Sequence, residues 1–111
     1  MSITQQNMIK IMDAQNECIG SVEIPVVTGN IISGTFRQTQ YYKKYEKIFT
    51  ELERAANELL IIQADQLEQQ IHKLGFYAIS SNNRKISIEN LQIMQGKIVF
   101  TVTHPEGVES F

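Results

Sequence analysis

The sequence predicts an α+β fold: a two-layer sandwich in which one long amphipathic helix covers an antiparallel sheet, in the order β-β-β-α-β-β-β. Between about residues 40 and 74 there is no Gly or Pro, and apolar residues recur at spacings of three and four. On both sides of this stretch, apolar and polar residues alternate between turn-forming segments. A chain of 111 residues suits one domain, so we expect a single domain over residues 1–111 with loose ends at 1–7 and 105–111.

The first β block begins with a segment that has two interpretations. Residues 4–15 fit an amphipathic helix, but turn formers at 13–17 followed by a β pattern at 18–27 favour a hairpin. In the second strand, Cys18, Gly20, Val22, Ile24 and Val26 are expected to share one face. Pro25 has no N–H for the ladder, which predicts a sheet edge or a bulge there. A tight turn at 28–30 then leads into a third strand at 31–36.

The long helix has an uncertain start and a clear end. Thr35 and Thr39 are equally good N-cap residues, whereas Gly75 directly follows Leu74 at the position that a left-handed cap favours. A helix over residues 40–74 would be about 52 Å long at 1.5 Å per residue. We therefore expect part of it to extend beyond the sheet or to contact another chain.

The second β block predicts strands at 76–80, 86–94 and 97–103. In the last of these strands Ile98, Phe100 and Val102 alternate with Lys97 and Val99. This pattern predicts one covered face and one wet face.

The middle of the helix carries four consecutive apolar residues at 59–62, which wrap its whole circumference. If Leu52, Ala56 and Leu59 face the sheet, Ile61 points away from it. We predict an interface there, formed by Leu60, Ile61, Ile62 and Asp65. The simpler alternative is one tolerated surface isoleucine.

A second candidate site lies near the helix start, where aromatic and basic residues alternate. The residues that would bind an anion, a phosphate or a nucleic acid are Arg37, Tyr42, Lys43, Lys44 and Lys47. The alternative is that the tyrosines belong to the core and the lysines to a solvated helix face.

The sequence offers little for catalysis. Cys18, His72 and His104 are its only thiol and imidazoles, and none has the spacing of a nucleophile or a metal ligand. Cys18 shares a strand face with Val22 and is interpreted as structural. We expect no catalytic residue, no metal and no cofactor.

The composition points to a globular protein of the cytoplasm. Hydrophobic residues make up 42% of the chain and charged residues 20%, the single cysteine excludes an intrachain disulfide, and no apolar run is long enough to span a membrane. The net charge of -2 argues against nucleic acid or a membrane surface as a partner. We expect a non-enzymatic protein that acts by protein association, as a homodimer with an accessory or regulatory role; the alternative is an anion-binding or nucleic-acid-binding module at 37–47.

Overall fold

The computed structural model describes residues 8–103, and within this part of the chain six strands close into an antiparallel barrel. The strands are β1 (Ile9–Met12), β2 (Cys18–Thr28), β3 (Ile31–Gln38), β4 (Tyr77–Ile79), β5 (Lys85–Met94) and β6 (Lys97–Val102). Their order around the barrel is β1-β2-β3-β6-β5-β4. The connection from β3 to β4 contains a 3-10 helix (Gln40–Lys44) and the helices α1 (Glu46–Asn57) and α2 (Ile61–Lys73). The predicted loose ends lie outside the described residues.

The predicted two-layer sandwich is wrong because the sheet closes on itself. β1 pairs with β4 through three residue pairs, so the two three-stranded blocks meet along a second seam besides the one between β3 and β6. The curvature is supported by bulges, which increase strand twist and bend. The register shifts between Glu23 and Val26 in β2, and between Glu89 and Gln92 in β5.

The predicted strands are confirmed to within a few residues. Residues 9–12 are a strand rather than a helix, and the turn before β3 contains Gly29 at φ 62°. The turn between β5 and β6 places Gln95 and Gly96 at φ 52° and 77°, the left-handed pair that a tight hairpin turn requires. Pro25 lies in the β2 bulge, as its missing N–H predicted.

The barrel interior is filled by the inward faces of the strands. Ile98, Phe100 and Val102 are buried there, which confirms their predicted covered face. The predicted face of β2 is wrong at Ile24 and Val26, because the bulge reverses the alternation and leaves these side chains 82% and 55% exposed. Phe49 of α1 joins the core, with ring centroids 6.0 Å from Tyr42 and 5.8 Å from Phe76.

The predicted single helix is also wrong, because the chain turns at Leu59. The N–H of Leu59 bonds the carbonyl of Ala56 at 3.2 Å, and the N–H of Leu60 reaches back to the carbonyl of Ala55 at 2.9 Å. This pair of bonds is the Schellman motif, in which the residue after the C-cap adopts left-handed φ. Leu59 has φ 59° in that position, where glycine is the usual residue.

The turn lets both halves of the helical segment pack on the barrel. An unbroken helix of about 52 Å would exceed the longest dimension of the molecule, which is 45 Å. Instead α1 buries Phe49, Leu52 and Ala55, and α2 buries Leu67 and Ile71. Both helices contact β5 and each other.

We expect Leu59→Gly to raise the free energy of unfolding by up to about 1 kcal/mol, since glycine removes the strain of a left-handed leucine. The Leu59 side chain is 79% exposed, so little packing is lost. Urea denaturation of a dilute sample, followed by circular dichroism, measures the change.

Leu60→Gly is the matched control. Leu60 has φ -85°, which leucine adopts without strain, and its side chain is more buried than that of Leu59. This variant is expected to be less stable than the parent by about 1 kcal/mol. If Leu59→Gly were as destabilising as Leu60→Gly, the left-handed turn at Leu59 would be contradicted.

Candidate functional site

The strongest candidate for an interaction site is the helical corner, residues 59–62, where α1 ends and α2 begins. Leu59, Ile61 and Ile62 are 79%, 76% and 76% exposed, and Leu60 is 40% exposed. Isolated exposed apolar residues are ordinary, but four consecutive ones form a contiguous patch. The Schellman turn creates this patch, because it directs the side chains away from the barrel core.

A shallow groove of about 730 Å³ runs from the helical corner along α2. Its apolar lining comes from Leu60, Ile61, Ile62 and Leu67, and its polar lining from Gln63, Gln66 and Gln70. None of these residues carries a formal charge. Each glutamine amide can both donate and accept hydrogen bonds. The groove can therefore contact an apolar or amide-rich surface without desolvating an ion.

The structure brings together three of the four predicted interface residues. Leu60, Ile61 and Ile62 line the same groove, whereas Asp65 lines a different cleft on the β5 side of α2. There the Asp65 carboxylate accepts a hydrogen bond of 2.9 Å from the Gln69 side chain. Asp65 therefore lies outside the apolar groove, although it follows Ile61 by one helical turn.

The predicted anion-binding residues do not share one environment. Arg37 donates to the Glu23 carboxylate across the sheet, at 2.5 Å, which raises the pKa of its guanidinium. Tyr42 is buried against Phe36. This burial and, to a smaller extent, the negative charges of Glu46 and Glu53 raise the pKa of its hydroxyl to about 12. Lys43 and Lys47 are exposed.

The fourth cation of that cluster, Lys44, is held by carboxylates of the β1–β2 turn. Its ammonium lies 3.1 Å from Glu17 and 3.7 Å from Asp13. The hydrogen bond from Lys44 to Glu17 raises the pKa of the lysine. Arg37 and Lys44 are thus engaged within the protein, which makes the cluster a weaker anion site than its sequence indicated.

Asp13 is completely buried and was not singled out by its sequence context. One carboxylate oxygen accepts the backbone N–H groups of Gln15 and Glu17 at 3.0 and 2.9 Å. The other accepts the Tyr45 hydroxyl at 2.8 Å. Burial by itself would raise the pKa of Asp13, but these hydrogen bonds and the Lys44 charge outweigh it and lower the pKa. The arrangement ties the β1–β2 turn to the start of α1.

A second cleft, of about 660 Å³, separates α2 from β4 and β5. It is lined by charged residues of both signs, among them Glu68, Lys85 and Glu89, and by His72. Within residues 8–103 no three His, Cys, Asp or Glu side chains are close enough together to hold a metal ion. Over the same residues, no helix has the length and apolarity needed to cross a membrane.

Comparison with known proteins gives no match: no protein-family model, no curated protein and no solved structure matches the chain.

Proposed function

We propose that the protein acts by protein association rather than catalysis, and that it forms a homodimer through the helical corner. The observation that carries this proposal is the exposure of Leu59, Ile61 and Ile62, each more than three-quarters accessible in one contiguous patch. An accessory or regulatory role in the cytoplasm is consistent with such a protein.

The chemistry of the groove favours a second copy of the chain as its occupant. A twofold dimer places the same surface on both sides of the interface, so that surface must be compatible with itself. A surface that carries charge of one sign fails this requirement, because like charges then meet across the axis. The groove of the helical corner is neutral and apolar, and its glutamines can pair with their own counterparts.

Burial of the patch supplies the driving force for association. Apolar surface removed from water stabilises the complex by about 25 cal/mol per Å². The four corner side chains contribute large aliphatic groups, and the groove along α2 extends the contact. Loss of translational and rotational freedom opposes association.

The decisive experiment is sedimentation velocity over a range of protein concentrations, on the parent protein and on Ile61→Glu. We expect a dimer for the parent and a monomer for Ile61→Glu, because the charge would lie in an apolar contact next to its symmetry mate. Circular dichroism of both proteins checks that the fold is retained. A parent protein that stays monomeric at every concentration would refute the homodimer.

Ile24→Glu is the matched control. Ile24 is as exposed as Ile61, at 82% against 76%, but it lies on the β2 bulge instead of the helical corner. This variant introduces the same charge change and is expected to remain dimeric. If it dissociated the dimer while Ile61→Glu did not, the interface would lie on the barrel instead.

A further inference from the structure

A second apolar surface lies on the outside of the barrel, where β2, β3, β6 and β5 are neighbours. The strand register places Val26, Ser33, Val99 and Gln92 in one outward row. Glu23, Thr35, Lys97 and Met94 form the next row, in which the Glu23 carboxylate is paired with Arg37. These rows line a concave site of about 560 Å³, which we name the outer groove. Its volume lies within the roughly 300–1,000 Å³ of small-molecule sites.

The two strand bulges determine which side chains of β2 and β5 face the outer groove. In β2 the register shift leaves Ile24 unpaired with φ 53°, a conformation that β-branched residues rarely adopt. In β5 the shift around Asn90, at φ 57°, turns Gln92 and Met94 toward the groove, although Asn90 itself lines the cleft beside α2. Bulges bend the strand that carries them and redirect its side chains. The side chains in the middle of the groove are small, because Ser33, Gly34 and Thr35 follow one another on β3.

The polar side chains of the outer groove are few, and none of them is negatively charged. Lys97 is the only formally charged residue among those that line it, and within residues 8–103 it forms no ion pair. Ser33 and Thr35 add hydroxyl groups on the neighbouring strand. Ile24, Val26, Met94 and Val99 supply the apolar walls. The site therefore offers the Lys97 cation, two hydroxyls, the Gln92 amide and a hydrophobic track.

The single charge distinguishes this groove from the helical corner. If two copies paired through the outer groove about a twofold axis, their Lys97 ammonium groups would be brought to the same interface. Like charges oppose that arrangement, whereas an anion complements it. A small anionic ligand is thus favoured over a second copy of the chain.

We propose that the outer groove binds a monoanionic, single-chain amphiphile, such as a long-chain carboxylate. Its carboxylate contacts Lys97 and the hydroxyls of Ser33 and Thr35, and its hydrocarbon chain lies along Ile24, Val26, Met94 and Val99. This site is separate from the proposed dimer interface, because the two grooves share no residue.

The test is a titration of the isotopically labelled protein with dodecanoate, followed by backbone amide shifts in NMR, below the micelle concentration of the probe. Dodecyltrimethylammonium serves as the probe of equal chain length and opposite charge. We expect saturable shifts confined to β2, β3, β5 and β6 with dodecanoate, and much weaker binding of the cation. Equal binding of both probes, or shifts centred on the helical corner or the barrel interior, would overturn the proposal.

Variants separate the role of the charge from that of the apolar walls. Lys97→Gln is expected to weaken dodecanoate binding about threefold to fivefold, the effect of losing one exposed ion pair. Lys10→Gln removes the same charge from an exposed position on β1 and is expected to bind as the parent does. Val99→Glu places a carboxylate in the groove and is expected to reduce affinity more than tenfold. Equal affinities of Lys97→Gln and Lys10→Gln would count against a carboxylate at Lys97.

Two further measurements test ligand binding in the outer groove separately from dimerisation through the helical corner. Ile61→Glu, designed to disrupt the corner, is expected to bind dodecanoate with unchanged affinity. Sedimentation of Val99→Glu is expected to match that of the parent protein. If Val99→Glu instead dissociated an oligomer and the parent bound no dodecanoate, the outer groove would be a contact between copies and the ligand proposal would be wrong.

Discussion

Phe100→Ala is expected to lower the free energy of unfolding by about 3–5 kcal/mol, the usual range for deleting a buried phenylalanine. Phe100 is 1% exposed inside the barrel, and its backbone pairs with that of Ile32, which is fully buried. The closed sheet surrounds this position, so neighbouring side chains can only partly fill the cavity. Urea denaturation at low protein concentration, followed by circular dichroism, measures the loss.

Val99→Ala is the control for the two faces of β6. Val99 points outward into the outer groove and is only partly covered, so its truncation is expected to change stability by less than about 1 kcal/mol. A larger loss for Val99→Ala than for Phe100→Ala would mean that the inward and outward faces of β6 are reversed.

Asp13→Ala is expected to destabilise the protein by about 2–4 kcal/mol, because it leaves one buried and two partly buried donors without an acceptor. The donors are the N–H groups of Gln15 and Glu17 and the Tyr45 hydroxyl. Asp13→Asn retains an oxygen for the two N–H groups and is expected to lose about 1 kcal/mol or less. If the two variants were equally unstable, the charge of Asp13 rather than its hydrogen bonds would be the stabilising feature.

The same carboxylate predicts a defined pH dependence. Its pKa in the folded protein is lowered, below the value of about 3.9 for an unfolded aspartate. Its contribution is therefore complete above pH 4 and is lost as the pH falls through the lowered pKa. The difference in unfolding free energy between the parent and Asp13→Asn, measured by urea denaturation from pH 7 to 3, should shrink on the acid side. A difference that grows below pH 4 would contradict the lowered pKa.

The strands could be predicted because the residue patterns that specify them lie within each strand and its adjacent turn. Alternation of apolar and polar residues and the turn formers around Gly29 and Gly96 define β2, β3, β5 and β6 without reference to the rest of the chain. Barrel closure is not local in this sense. The same hairpins can form an open sheet, and only the pairing of β1 with β4 distinguishes the two architectures.

The sequence does not reveal the break between α1 and α2, because the glycine that usually marks such a turn is absent. A Schellman turn normally carries glycine, and here Leu59 occupies the left-handed position. The apolar residues at 59–62 indicate the middle of one helix when only the sequence is considered, whereas in the structure they mark the turn between α1 and α2. The prediction that Ile61 points away from the sheet agrees with its 76% exposure, but Leu59, expected to face the sheet, is 79% exposed. The interface itself stays a prediction.

The outer groove could not be found from sequence for a different reason. It depends on two bulges, and each bulge moves side chains from the face that simple alternation assigns to them. Ile24 was placed with the buried face of β2 for this reason. Asp13 was likewise interpreted as an ordinary turn residue, since its partner Tyr45 lies 32 positions away.

The closed strand order also has a consequence for the order in which the chain folds. The β2–β3 and β5–β6 hairpins join neighbouring segments across short turns, so they can form early at little entropic cost. The β3–β6 pairing instead brings Ile31 beside Thr101, and β1–β4 brings Lys10 beside Ile79. Such distant pairings slow folding, because a long loop must be ordered before any contact rewards it. We therefore expect the two hairpins to form before the barrel closes. The short β1–β4 pairing is expected to form last, after the folding of α1 and α2 has shortened the connection between β3 and β4.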